Sequence, residues 1–180
     1  MMIQICHILN LPYVVTHKAV NLDANLIFAA DPKKAAVELM QLNPDTKAAL
    51  VFNTVAEATE YAVKARLANL RIAEDDILCC GFPCEPYSKA RRTRFATGSW
   101  QSHPDTYVLF DILAYIKERR PKLLVWECSR GFGQASGNEE PPAKHFDMLL
   151  DQATDGEMAH KSMYMDHTIW CDNGRDRFNC

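Results

Sequence analysis

One cysteine in this sequence stands where a nucleophile would stand. Cys84 lies in the run Gly81-Phe82-Pro83-Cys84-Glu85-Pro86-Tyr87-Ser88, between two prolines and just after an apolar run. Proline fixes its own φ, so the thiol is aimed rather than left to wander. Four cations follow within a short stretch: Lys89, Arg91, Arg92 and Arg94. A cation nearby favours thiolate, the nucleophilic form of cysteine. With Ser88 these cations could also grip phosphate groups; the other reading is an ordinary solvated loop. A second apolar run ends in an acid, Val125-Trp126-Glu127-Cys128. Glu127 is either an exposed strand-end carboxylate or the partner of Cys84, acid and nucleophile on neighbouring strands. Arg175 and Arg177 flank Asp176 and read by themselves as a solvated run.

These side chains need elements to place them. Residues 26–30 (LIFAA), 49–52, 76–80 (DILCC) and 122–127 (KLLVWE) read as short buried strands. Between them lie helical patterns. Asp31 suits an N-cap and Pro32 a first helical position, for a helix to about residue 42. Residues 56–70 hold strong helix formers and a Glu60–Lys64 pair one turn apart. Residues 105–120 place Val108, Leu109, Ile112, Leu113 and Ile116 on one face, and Pro121 stops that helix. Residues 143–153 read as a helix and 163–171 as a last strand. Residues 1–25 carry apolar content but no clear element. Alternation of this kind predicts an α/β fold, a mostly parallel sheet with helices on both faces. Ligands in such sheets sit beyond the carboxyl ends of the strands, so Cys84 and Glu127 fall where chemistry is expected.

Composition bounds the rest. The chain has 180 residues, 48% of them apolar and 24% charged, which excludes a disordered or collagen-like chain. A net charge of −3 gives no global field toward nucleic acid, so any such contact must be local. No apolar run approaches the roughly 18–20 residues of a membrane span, and the first cation is Lys18, which argues against a signal peptide. An intracellular protein is expected. The seven cysteines include no Cys-x-x-Cys pair, which fits neither a disulfide framework nor a zinc ribbon. The six besides Cys84 are expected as mostly buried thiols. The first glycine is Gly81, so no Gly-rich cofactor loop exists before β-type residues 76–80.

Together, residues 76–88 resemble the C5-cytosine-specific DNA methyltransferase family, whose signature is an Asp-led apolar strand and then Gly-Phe-Pro-Cys-Gln-Pro-Phe-Ser. The order of later pieces resembles it too: a basic loop, a helix over 105–120, Pro121-Lys122, a strand ending Glu127-Cys128-Ser129 for the family's Glu-Asn-Val, and Asn173-Gly174-Arg175-Asp176-Arg177 for its Gln-x-Arg-x-Arg. The resemblance implies a Rossmann-like fold that uses S-adenosylmethionine and acts on DNA. It implies that the Cys84 thiolate attacks C6 of a cytosine swung out of the helix, assisted by Glu127, with Arg175 and Arg177 close by. It implies that Asp31, Asn53 and Pro83 hold the cofactor, and that Ser88, Lys89, Arg91, Arg92 and Arg94 touch DNA. A nuclear or nucleoid location would follow.

The sequence departs from the family in definite places. The Phe-x-Gly-x-Gly loop that should precede Leu26 is missing. Phe28, Ala29 and Ala30 stand where a ribose-binding glutamate is expected, which leaves only Asp31, and Asn53 stands for the acid near the adenine. The expected organisation is a divergent segment 1–25 and an incomplete methyltransferase catalytic domain 26–180, without a target-recognition domain. Another chain or further segments would complete the cofactor and recognition sites. The alternative is an inactive methyltransferase-fold remnant or interaction protein that binds no cofactor. A zinc or redox protein built on Cys79, Cys80 and Cys84 fits no common ligand spacing. A zinc deaminase needs His-x-Glu and Pro-Cys-x-x-Cys, and neither occurs.

Overall fold

Among the described residues of the computed structural model, five parallel strands make the sheet, in the order β3-β2-β1-β4-β5. The structure describes residues 2–6, 25–42, 49–72, 76–81, 83, 85–87, 100–135 and 139–159. The strands are β1 (Met2–Cys6), β2 (Asn25–Ala30), β3 (Leu50–Phe52), β4 (Ile77–Gly81) and β5 (Leu123–Glu127). Among the described residues four α-helices accompany them: α1 (Lys34–Leu42), α2 (Val55–Leu67), α3 (Tyr107–Arg119) and α4 (Pro142–Thr154). Among the described residues, no helix is long and apolar enough to cross a membrane. The chain forms two compact units, Met1–Phe82 with Tyr107–Glu127, and Pro83–Thr106 with Cys128–Cys180. The strand expected at residues 163–171 lies outside the described residues.

The first unit holds the sheet. Its central strand is β1, in the stretch that shows no clear element in the sequence. Ile3 pairs with Leu26 on one side and with Ile77 on the other. A short apolar run interrupted by Gln4 is too little to declare a strand alone; pairing on both edges makes it one.

α1 begins two residues later than its sequence signals suggest. Asp31 is not the N-cap and Pro32 is not helical. Instead Asp31 Oδ1 accepts the Lys33 N–H at 2.7 Å, an Asx-type turn that delays the helix. None of the residues of α1 is buried.

α2 is bounded by its own sequence. Thr54 caps it by accepting the Glu57 N–H at 3.1 Å, and the Glu57 carboxylate reaches back to the Asn53 N–H at 2.9 Å, a variant of the capping box. At the other end Asn69 adopts φ 54°. Its N–H goes to the Arg66 carbonyl and that of Leu70 to the Ala65 carbonyl, which is a Schellman closure with asparagine where glycine is usual.

The face of α2 toward α3 is small: Ala58, Ala62 and Ala65 are buried. Small residues let α3 approach and bury Leu109, Ile112, Leu113, Tyr115 and Ile116. Val108, expected on that face, is only half-buried, and Tyr115 turns inward. Phe28 of β2 is completely buried and links the layers. Its ring meets Phe52, Tyr61 and Tyr115 edge-on at 5.7, 6.1 and 6.4 Å. The Arg119 guanidinium lies 5.7 Å from its centroid. β5 departs from the usual burial of a parallel strand on both faces, because Leu123 and Val125 are 50% and 47% exposed.

The second unit is built on rings. α4 starts with Pro142 at its first turn, which suits a position whose N–H has no helical partner. It buries Phe146 and Leu150. Phe146 meets Phe132 of the 3-10 turn Arg130–Gly133 at 6.0 Å, and Phe132 in turn meets Tyr87.

Candidate active site

The strand ladder brings the carboxyl ends of the sheet level. Phe52 pairs with Ala30, Ala30 with Cys6, Cys6 with Cys80, and Cys80 with Trp126. The last rung pairs Gly81 with Glu127. The acid thus stands beside the residue that opens the Gly-Phe-Pro-Cys run. Parallel sheets bind ligands at this edge because the loops leaving it are free of the ladder.

Three sequence-selected residues of the first unit lie at strand ends on that edge. Asp31 comes after β2, 1% exposed. Its N–H donates to the Phe52 carbonyl at 3.2 Å, which stitches the end of β2 to the end of β3. Asn53 follows β3 and is exposed; its Nδ2 donates to Glu57 Oε2 at 3.3 Å. Glu127 ends β5. It is exposed overall, yet partial burial at the strand end pushes its carboxyl above the ordinary glutamate range. Two effects that often shift carboxylates, a paired cation or a donated hydrogen bond, are not among the causes of this shift. A raised carboxyl holds its proton closer to neutrality and can donate it.

Pro83 is half-buried, Glu85 is exposed, and Pro86 and Tyr87 are buried. They belong to the second unit. Tyr87 lies with its ring 4.9 Å from Phe132 in a T-shaped contact and 6.0 Å from Trp100. Burial, and then the neighbouring Cys128 thiol, hold its hydroxyl protonated far above its ordinary range. Thr106 is the neighbour that acts to lower the pKa of that hydroxyl. Trp100 packs against His145 at 5.5 Å, as a packing residue rather than a ligand contact. His103 Nδ1 accepts the Asp105 N–H at 3.2 Å. Cys84, Ser88, Lys89, Arg91, Arg92, Arg94, Arg175 and Arg177 lie outside the described residues.

Sequence reasoning does not find the ring cluster. Tyr87, Trp100, Phe132 and Phe146 come from four separate segments, and no period relates them. One signal exists: tyrosine stands where the resembling pattern has phenylalanine.

An open groove of about 340 Å³ between the ends of α2 and α3 is lined by Arg66, Leu70, Arg71 and Glu118 among others. α2 and α3 run back from the carboxyl edge, so this groove belongs to the opposite edge of the sheet. Arg66 there is occupied by Glu118 at 2.7 Å. The level strand ends, not this groove, mark the candidate site.

Comparison with known proteins supplies the family. The model of the C-5 cytosine-specific DNA methylase family matches residues 16–145, more than two thirds of the chain. The Type II methyltransferase M.BsuFI of Bacillus subtilis is 34% identical over 61 residues, which is 33% of this chain and 13% of that protein. The chain therefore spans only a small part of that relative. Strands β2 to β5, the Gly81-to-Ser88 run at the end of β4 and the acid at the end of β5 all lie inside the matched range. The chain belongs to the C-5 cytosine-specific DNA methylase family.

Proposed function

We propose that the chain carries the catalytic edge of a DNA cytosine-5 methyltransferase with a Rossmann-like fold. The observation that supports this most directly is the Gly81–Glu127 rung. Cys84 follows Gly81 by three positions, so its Cα lies within about 11 Å of that glycine on covalent reach alone. The raised carboxyl of Glu127 suits an acid that protonates a base edge.

In this reading the Cys84 thiolate forms a bond to C6 of a cytosine extruded from the duplex. The ring electrons shift toward C5 as Glu127 gives its proton to N3. S-adenosylmethionine would supply an electrophilic methyl group for C5 and leave as S-adenosylhomocysteine. Loss of the C5 proton to water and expulsion of the Cys84 thiolate would then restore the aromatic ring, while Glu127 takes the N3 proton back. Arg175 and Arg177 would steady the base and Glu127. Ser88, Lys89, Arg91, Arg92 and Arg94 would hold phosphates of the DNA.

Asp31, Asn53 and Pro83 fit the adenosine half of that cofactor by chemistry and position. A carboxylate and an amide can accept from and donate to ribose hydroxyls and a purine amine, and the three residues follow β2, β3 and β4. The methionine half has no such candidate among the described residues, in keeping with the absence of glycine before Gly81. The remnant or interaction-protein reading draws on that absence.

The test is trapping on DNA containing 5-fluorocytosine, in which the C5 substituent cannot leave. With S-adenosylmethionine present, a covalent complex should survive denaturing electrophoresis and vanish in Cys84→Ser. No complex, and no heat of binding with S-adenosylmethionine, would favour the remnant reading.

A further inference from the structure

An amide side chain can offer a ligand either a donor or an acceptor, and at Asn53 the choice is made by Glu57. In a capping box the glutamate takes the backbone N–H of the cap residue, which in α2 is Thr54. Glu57 reaches one residue further back. Its Oε2 accepts the Asn53 backbone N–H at 2.9 Å and also the Asn53 Nδ2 at 3.3 Å. Capping gives a reason for a bond to backbone; it gives none for the bond to the side chain.

An ionised carboxylate accepts hydrogen bonds and donates none. The Asn53 amide therefore turns its NH2 to Glu57 and presents its Oδ1 elsewhere. Among the described residues no donor meets that Oδ1. An amide that donates to a charged acceptor is polarised by it, which strengthens its own oxygen as an acceptor. Glu57 is itself held in place, because Thr54 Oγ1 accepts its N–H at 3.1 Å. The neighbouring strand end is fixed as well: the Asp31 N–H donates to the carbonyl of Phe52, the residue before Asn53.

We propose that Glu57 is a positioning residue that makes Asn53 an acceptor, so that the site takes a purine with an amino group at C6 and rejects one with an oxo group there. An amino group donates to Oδ1, whereas an oxo group would set two acceptors against each other. This rests on the reading of Asp31, Asn53 and Pro83 as the adenosine site.

The experiment measures binding of S-adenosylhomocysteine and of its hypoxanthine counterpart, S-inosylhomocysteine, by calorimetry, with a thermal melt of each protein beside it. The parent should prefer the adenine ligand about tenfold, the worth of one hydrogen bond made rather than opposed. Glu57→Ala frees the amide to turn and should cut that preference to about twofold or less. Glu57→Gln keeps an oxygen for the Asn53 NH2 and should keep the preference. Asn53→Asp in the Glu57→Ala background should restore it, because a carboxylate accepts whichever way it turns. A Glu57→Ala protein that melts lower but keeps the parent preference would make Glu57 a helix cap alone and overturn the proposal. A double variant that does not recover would overturn it too. A parent that binds both ligands equally would overturn it while leaving the methyltransferase reading in place; a parent that binds neither would remove both. The expected preference without trapping on 5-fluorocytosine DNA would remove the methyltransferase reading and leave Glu57 in its role.

Discussion

The two units bury their cores by different means. In the first, aliphatic and alanine side chains, with the rings around Phe28, line up on helices and strands. Ala58, Ala62 and Ala65 face the row from Leu109 to Ile116, and Phe28 sits completely buried among the layers. In the second, Tyr87, Trp100, Phe132 and Phe146 meet from turns and the helix α4. The backbone ladder holds the first unit, and ring contacts hold what is described of the second. Glu127 is therefore set by strand register, whereas Tyr87 is set by side-chain contacts.

The contrast can be tested one unit at a time. The largest effect is expected from Phe28→Ala, at about 3–5 kcal/mol. Trp126 belongs to the first unit and Trp100 to the second, so single-tryptophan variants can report each unit in denaturant unfolding. A loss seen equally by both reporters would make the protein one cooperative body. Phe132→Ala should cost about 3 kcal/mol, seen by Trp100 first if the units unfold separately. Thr54→Ala removes the cap of α2 and should cost about 1 kcal/mol, reported by Trp126. Arg120→Gly acts in the opposite direction. Arg120 has φ 49° just past α3, a conformation that costs a residue with a Cβ roughly 1–2 kcal/mol, so glycine there should raise the unfolding midpoint.

The smallest effect concerns Glu127. Its carboxyl is raised in the folded state, so the folded protein binds that proton more tightly than the unfolded chain. The stabilisation tied to the protonated form is present at low pH. It is lost as pH rises from the ordinary glutamate value through the raised one. Glu127→Gln should match the parent melting temperature near about pH 3.5 and modestly exceed it near about pH 8. Identical pH curves for the two proteins would remove the basis for an acid role.

Much of the first unit was legible because its elements repeat. β2, β3, β4, β5 and the helical patterns between them showed in apolar runs and in the Pro121 and Asp31-Pro32 signals. The error at Asp31 arose because one side chain can serve an N-cap or an Asx turn, and both precede a helix. β1 was not legible, because its identity comes from neighbours on both sides. At the site, the placement of Glu127 level with the start of the Cys84 loop was expected from the strand ends. The ring cluster was not, since aromatic residues scattered over separate turns carry no period. Leu123 and Val125 read as core from hydrophobicity alone and are instead half-exposed.

The central position of β1 has a kinetic consequence. Ile3 pairs with Leu26, which is near in sequence, and with Ile77, which is far along the chain. The second partnership closes a long loop, and such non-local pairing slows folding. During synthesis β1 and β2 can meet early, but the far edge of β1 stays open until β4 has emerged. The middle of the sheet is therefore sealed late, and the growing chain presents an unpaired apolar edge for most of the time that its first half is being made.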